Sequence, residues 1–221
     1  MSGRTLPLAT LILGVVTLIM LVLLSSSPEV RAVYSSSDVG LAVSAFQRAE
    51  TPADIAAVFG DPADPARVAA MDALNTLDLW GFIPAYTLFL CVAALWLGGS
   101  SVWRWGAIAF ALIGAGADAV ETWRQLELTA NIQNPQANLP IAPWHWAKYL
   151  ALALNGWAVA AMCYLGEKPR RILGVLAALP LPMVALAYFD VTSPRLFSLA
   201  FGLFWIGLLV TAAWGLFRKR A

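Results

Sequence analysis

The sequence predicts an all-α integral membrane protein, a six-span helical bundle with an outward-facing helical cap between spans one and two. Three observations predict it. Of 221 residues, 60% are hydrophobic and 12% charged, with a mean hydropathy of +0.73, far from the balance of a soluble domain. Six apolar runs approach the ~20 residues that cross a ~30 Å hydrocarbon core. Lysine and arginine also gather in alternate connections between those runs, as the orientation of membrane helices requires.

The runs are Leu6 to Leu24, Leu77 to Leu97, Trp105 to Glu121, Trp144 to Leu165, Ile172 to Phe189 and Leu196 to Phe217. The first follows a short basic start and precedes "VRA" at 30 to 32, which resembles a signal cleavage site. Its apolar core is longer than the ~7 to 15 residues of a signal, and the site lies well beyond its end. Residues 1–25 therefore read as an uncleaved anchor. The fifth run, with Pro180 and Pro182, reads as kinked or only partly spanning.

With the N-terminus inside, the inner segments hold Arg4, Arg104, Lys168, Arg170, Arg171, Arg218, Lys219 and Arg220. The outer side keeps Arg31, Arg48, Arg67, Arg124 and Arg195, mostly spread through long acidic loops. Both termini are thus expected in the cytoplasm. Trp80, Trp123, Trp144 and Trp146 mark the outer interface, and Trp96, Trp103, Trp105 and Trp214 the inner one.

Residues 26–76 form the largest extramembrane segment, and a helical cap is expected there. In "ETPADIAAVFG" Thr51 is an N-cap, Pro52 the first helical residue, Asp54 a first-turn acid and Gly60 a stop. Val39, Val43, Phe46 and Ala49 recur at helical spacing, so "SDVGLAVSAFQRA" reads as a short amphipathic helix. A further helix starts at Asp64-Pro65 and runs on into span two, where Gly81 and Pro84 predict a kink. Residues 77–221 then make a five-span bundle.

"GAGADAVETWRQ" places two carboxylates inside the third span. Asp118 lies 14 residues beyond Arg104, about 21 Å along a helix, and Glu121 sits one turn higher on nearly the same face. At that level Asp78 opens the second span, His145 and Lys148 share a face at the start of the fourth, and Asp190 ends the fifth. A charge inside a bilayer costs about 2.5 to 3.5 kcal/mol on insertion scales and so faces the bundle interior, paired. Lys148 is the expected partner of Asp118. Acid in excess of base at one depth points to a site for a cation, a proton or a polar headgroup. Tyr86 and Asn155, deeper in spans two and four, either line the same cavity or hydrogen-bond across helices. The stripe Ala107, Ala111, Ala115, Ala119 is a packing feature.

Several classes are excluded or unsupported. A net charge of +1, with no block of five like charges, excludes a nucleic-acid partner. Cys91 and Cys163 have neither metal nor redox spacing. With one histidine, flanked by tryptophans and read as interfacial, no metal is expected; a site of Asp78, Asp118 and Glu121 with His145 is not demanded by the spacing. No nucleophile motif or phosphate loop occurs, so catalytic residues and cofactors are unassigned.

"LDLWGFIPAYTLFL", "GADAVETW" and "WAKYL" together resemble a group of small bacterial multipass membrane proteins of unassigned activity. In that group an Asp, a Tyr, an Asp-x-x-Glu and a Lys recur on three successive spans. The resemblance covers about residues 75–165 and implies that Asp78, Tyr86, Asp118, Glu121 and Lys148 belong together, in a bacterial inner membrane. The group often has Asn after the Glu, where this chain has Thr122, so any role of that amide does not carry over.

The expectation is a membrane protein that binds a small amphiphile, lipid headgroup or cation at Asp78, Tyr86, Asp118, Glu121, His145 and Lys148, with membrane lipid as partner. One alternative is an accessory or scaffolding subunit of a larger membrane complex, with the cluster a structural clamp. The other is a membrane-embedded hydrolase or transferase.

Overall fold

The computed structural model describes residues 4–35, 38–166, 170–191 and 194–217. Lys168, Arg218, Lys219 and Arg220, and the side chain of Arg195, lie outside the described residues. Every regular element among the described residues is helical: α1 (Thr5–Ser26), α2 (Pro28–Val33), α3 (Val39–Gln47), α4 (Pro52–Phe59), α5 (Pro65–Leu77), α6 (Ile83–Leu97), α7 (Ser101–Ala130), α8 (Ala142–Leu165), α9 (Arg171–Ala178), α10 (Pro180–Tyr188) and α11 (Pro194–Phe217). A π-helical turn (Asp78–Phe82) joins α5 to α6, and a 3-10 turn (Pro135–Asn138) precedes α8.

Four stretches among the described residues are long and apolar enough to cross a membrane: Thr5–Val33, Pro65–Leu97, Arg171–Tyr188 and Leu196–Phe217. The third combines α9 and α10, which meet at the predicted Pro180. Helices α7 and α8 are 30 and 24 residues long but carry the polar residues described below.

The chain forms two compact units whose boundaries fall within α1, α6, α7 and α8. The first comprises Met1–Thr17, Ala85–Gly114 and Tyr149–Ala221. Its helices approach closely where glycine removes a side chain. A Cβ on Gly14 would lie 2.8 Å from the Phe89 ring and run into Leu209. One on Gly156 would strike the carbonyl oxygen of Ala177, so α8 and α9 meet backbone against side-chain-free backbone. Asn155, fully buried, donates from Nδ2 to the carbonyl of Ala107 at 2.8 Å, the cross-helix bond of the two roles expected for it. Arg170 donates to the Leu97 carbonyl at 3.2 Å, capping the C-terminus of α6 with a cation, and its guanidinium lies 5.3 Å from the Trp96 ring centroid. Asp190, in the left-handed region at φ 54° after α10, also belongs to this unit.

The second unit comprises Leu18–Pro84 and Ala115–Lys148. Its apolar core joins Phe46 of α3, Ile55, Val58 and Phe59 of α4, Met71 of α5 and Leu128 of α7 with Leu139 and Ile141. Phe46 and Phe59 meet edge to face, with centroids 5.0 Å apart. A smaller cluster packs Val30, Val39, Ala70 and Leu74. The Ile141 amide donates to the Ala49 carbonyl at 2.9 Å and ties the approach to α8 to the end of α3. Residues 39–77 therefore fold as helices whose core is completed by Leu128, Leu139 and Ile141.

Helix α4 begins as its sequence requires. Thr51 caps it, and Asp54 closes a capping box by accepting from the amides of Thr51 (2.8 Å) and Glu50 (3.0 Å). Those two backbone bonds hold the Asp54 carboxyl below its ordinary range. A depressed carboxylate stabilises the fold above its unfolded pKa and ceases to do so as pH falls through the folded one. Thr51→Ala is expected to cost about 1 kcal/mol. Relative to intrinsic exchange rates, the amide of Asp54, which donates to the Thr51 hydroxyl, should lose protection in this variant, and those of Glu50 and Thr51 should lose it in the parent on acidification below about pH 4.

The π turn answers the predicted kink. Pro84 has no amide hydrogen and cannot close an α-helical bond. The chain widens one turn earlier, with the Ile83 amide donating to the Asp78 carbonyl five residues back. Helix α5 thus passes into α6 without a break, and Asp78 stands at the first position of the turn.

Candidate functional site

Five of the six predicted site residues fall within the second unit, on three elements. Helix α7 supplies Asp118 and Glu121, α8 supplies His145 and Lys148, and the π turn supplies Asp78. A three-residue step along α7, and another along α8, puts each pair on one face at successive turns. Asp118, Glu121, His145 and Lys148 are buried, Glu121 completely. Asp78 is half-buried.

Lys148 is the hub. Its Nζ donates to Asp118 Oδ1 at 2.9 Å and lies 2.6 Å from Glu121 Oε2. The Glu121 contact is a close ion pair outside hydrogen-bond alignment. On the other side of the same carboxylate, His145 Nδ1 stands 3.6 Å from Oε1. Asp78 accepts a hydrogen bond from the Thr122 hydroxyl at 3.1 Å and is within electrostatic reach of Asp118, Glu121 and Lys148. Asp118 and Glu121 therefore share one lysine, His145 adjoins Glu121, and Asp78 stands within electrostatic reach of the three charged side chains.

His145, read as interfacial from its tryptophan neighbours, is packed inside the protein. Its ring is buried edge-on to Trp146, with centroids 4.9 Å apart, and faces Glu121, because it sits three residues before Lys148 on the helix face turned toward α7. Tyr86, the sixth predicted residue, belongs to the first unit, where its buried ring stacks on Trp205 with centroids 5.5 Å apart. Among the described residues, no group of three or more His, Cys, Asp or Glu side chains could hold a metal ion.

A polar stripe that sequence reading missed continues along α7 from the cluster. Thr122, Gln125 and Thr129 follow Asp118 and Glu121 at helical spacing, and all five are buried. Opposite them, α5 and the π turn present Asp72, Asn75 and Asp78. The Thr129 hydroxyl hydrogen-bonds Asp72, as that of Thr122 does Asp78. Those two bonds fix the register, and Asn75 and Gln125 fall at the level between them. Nδ2 of Asn75 and Nε2 of Gln125 are buried without a hydrogen-bond partner. The available signal was the run 118, 121, 122, 125, 129, a single helix face polar over three turns.

No protein-family model, curated protein or solved structure matches the chain. The chemistry of the site therefore rests on its own geometry. With every carboxylate ionised, Asp78, Asp118 and Glu121 carry three negative charges against the one on Lys148. Uncompensated charge in a low-dielectric interior is costly by several kcal/mol per ion. A cation bound at the cluster offsets it, and the imidazole beside Glu121 is a group able to accept and pass on a proton.

Proposed function

We propose that the protein is a six-span bacterial inner-membrane protein whose buried carboxylate and lysine cluster binds an exchangeable cation, the proton. The observation that carries this reading is the convergence of two buried carboxylates on one ammonium, at 2.6 and 2.9 Å, with a third carboxylate within electrostatic reach. A clamp needs one acid for its lysine. The surplus acid has a use where charge is taken up and given back. Burial of the cluster favours the smallest cation over the amphiphile or headgroup also expected from the sequence. The stripe from Asp72 to Glu121 provides donors and acceptors at every turn for a proton to reach it.

In this reading α7 and α8 also cross the bilayer, making six spans. Their lengths suffice, the side chains of the cluster and its polar stripe point inward, and Leu112, Ile113, Leu150 and Trp157 remain exposed for lipid. Both termini lie in the cytoplasm, and α2 to α5 form an outward cap.

Thermal stability in detergent across pH, in sodium and in potassium buffers, tests the proposal. A cluster that needs a proton for neutrality binds more protons folded than unfolded, so stability falls as pH rises. That dependence should weaken in Glu121→Gln and be the same in either salt. A purely structural clamp predicts a lower melting temperature in Glu121→Gln with an unchanged pH profile, and an alkali-ion site predicts different stability in the two salts.

A further inference from the structure

We propose a second site on the opposite side of α7: a groove that holds the headgroup of a zwitterionic phospholipid bearing a primary amine. At about 100° per residue, Ala119, Val120, Trp123, Arg124 and Glu127 face away from Asp118, Glu121, Thr122 and Gln125. They line a groove of about 410 Å³ together with Leu79 and Trp80 of the π turn, within the size range of small-molecule sites. Trp80 and Trp123 are 75% and 54% exposed. Large exposed aromatics with a polar edge belong at the level of lipid headgroups.

The charges of the groove name the occupant. Arg124, half-buried, is held with its guanidinium 5.8 Å from the Trp144 ring centroid. Glu127 is fixed by the Trp123 indole, which donates to its Oε1 at 2.8 Å. Among the described residues neither Arg124 nor Glu127 is in an ion pair, so they present opposite poles about 4.5 Å apart along the helix axis. Arg124 is the pole nearer the apolar part of α7. A phospholipid has the same order, with phosphate next to the glycerol and amine farther out. A guanidinium suits the phosphate, and a carboxylate accepts from an ammonium that has N–H groups. Trimethylated choline offers none, and the terminal glycerol of phosphatidylglycerol is uncharged, so it gives Glu127 no cation to pair with. Leu79, Ala119 and Val120 supply the apolar wall for the first acyl carbons.

Native mass spectrometry of the full chain, equilibrated with equal amounts of phosphatidylethanolamine, phosphatidylcholine and phosphatidylglycerol, tests this. We expect one retained phosphatidylethanolamine, enriched at least about five-fold over either competitor. Arg124→Gln should lower retention of all three lipids, since all carry the phosphate, and Arg124→Lys should keep part of it. Glu127→Gln, at an exposed position where the fold is not at stake, should erase the preference over phosphatidylcholine. Equal retention of all three lipids, preference for phosphatidylglycerol, or enrichment that survives Glu127→Gln would overturn the proposal. None of these changes touches the carboxylate cluster, so the two sites succeed or fail separately.

Discussion

Lys148→Met should lower the stability of the protein in detergent by about 3 to 5 kcal/mol, the cost of leaving buried charge unpaired. Two carboxylates lose their cation at once, since Asp118 and Glu121 both lie within 3 Å of the same ammonium, at 2.9 and 2.6 Å. They regain neutrality only by binding protons, so the loss should be larger in alkaline than in acid buffer. Adding Asp118→Asn or Glu121→Gln to Lys148→Met should recover part of the loss, and adding both should recover most of it. Chemical or thermal unfolding of the single, double and triple variants measures the coupling. Strict additivity would mean that the three side chains do not interact.

Phe59→Ala should cost about 3 to 5 kcal/mol. The ring is fully enclosed and stands edge to face with Phe46, within a core to which α3, α4, α5 and α7 all contribute. The deleted ring leaves a cavity that four helices border, and relaxation of one cannot close it. The consequence should be local as well as global, with proteolysis between Val39 and Val58 accelerated well before the long helices melt. A variant as resistant as the parent would mean that α3 and α4 do not share a core.

Much of this was legible in the sequence because it depends on short-range rules. Thr51, Pro52 and Asp54 cap α4, and Asp64 with Pro65 starts α5, because capping chemistry is local. Asp118, Glu121 and Lys148 stood out because ionised side chains are rare in apolar runs. The partners of the cluster were harder to see. Thr122, Gln125, Thr129, Asp72 and Asn75 are each ordinary residues, and only the antiparallel register of α7 against α5 makes them a stripe. Apolar length also marks only part of α7. The run stops at Glu121, but the helix continues to Ala130, because its polar face is covered by protein. The tryptophans beside His145 suggested an interface, whereas helical phase with Lys148 decides where the imidazole points. Gly81 and Pro84 predicted a kink, and a π-helical turn, one of the features at which helices bend, stands there.

Infrared difference spectroscopy of the protein in lipid, stepped between alkaline and acid pH, reads carboxylate protonation directly. Proton binding at the cluster predicts a carboxylic-acid carbonyl band that appears reversibly on acidification, shifts in deuterated water, and is lost or displaced in Glu121→Gln or Asp78→Asn. A band unchanged by both substitutions, or no band beyond that of exposed acids, would contradict it.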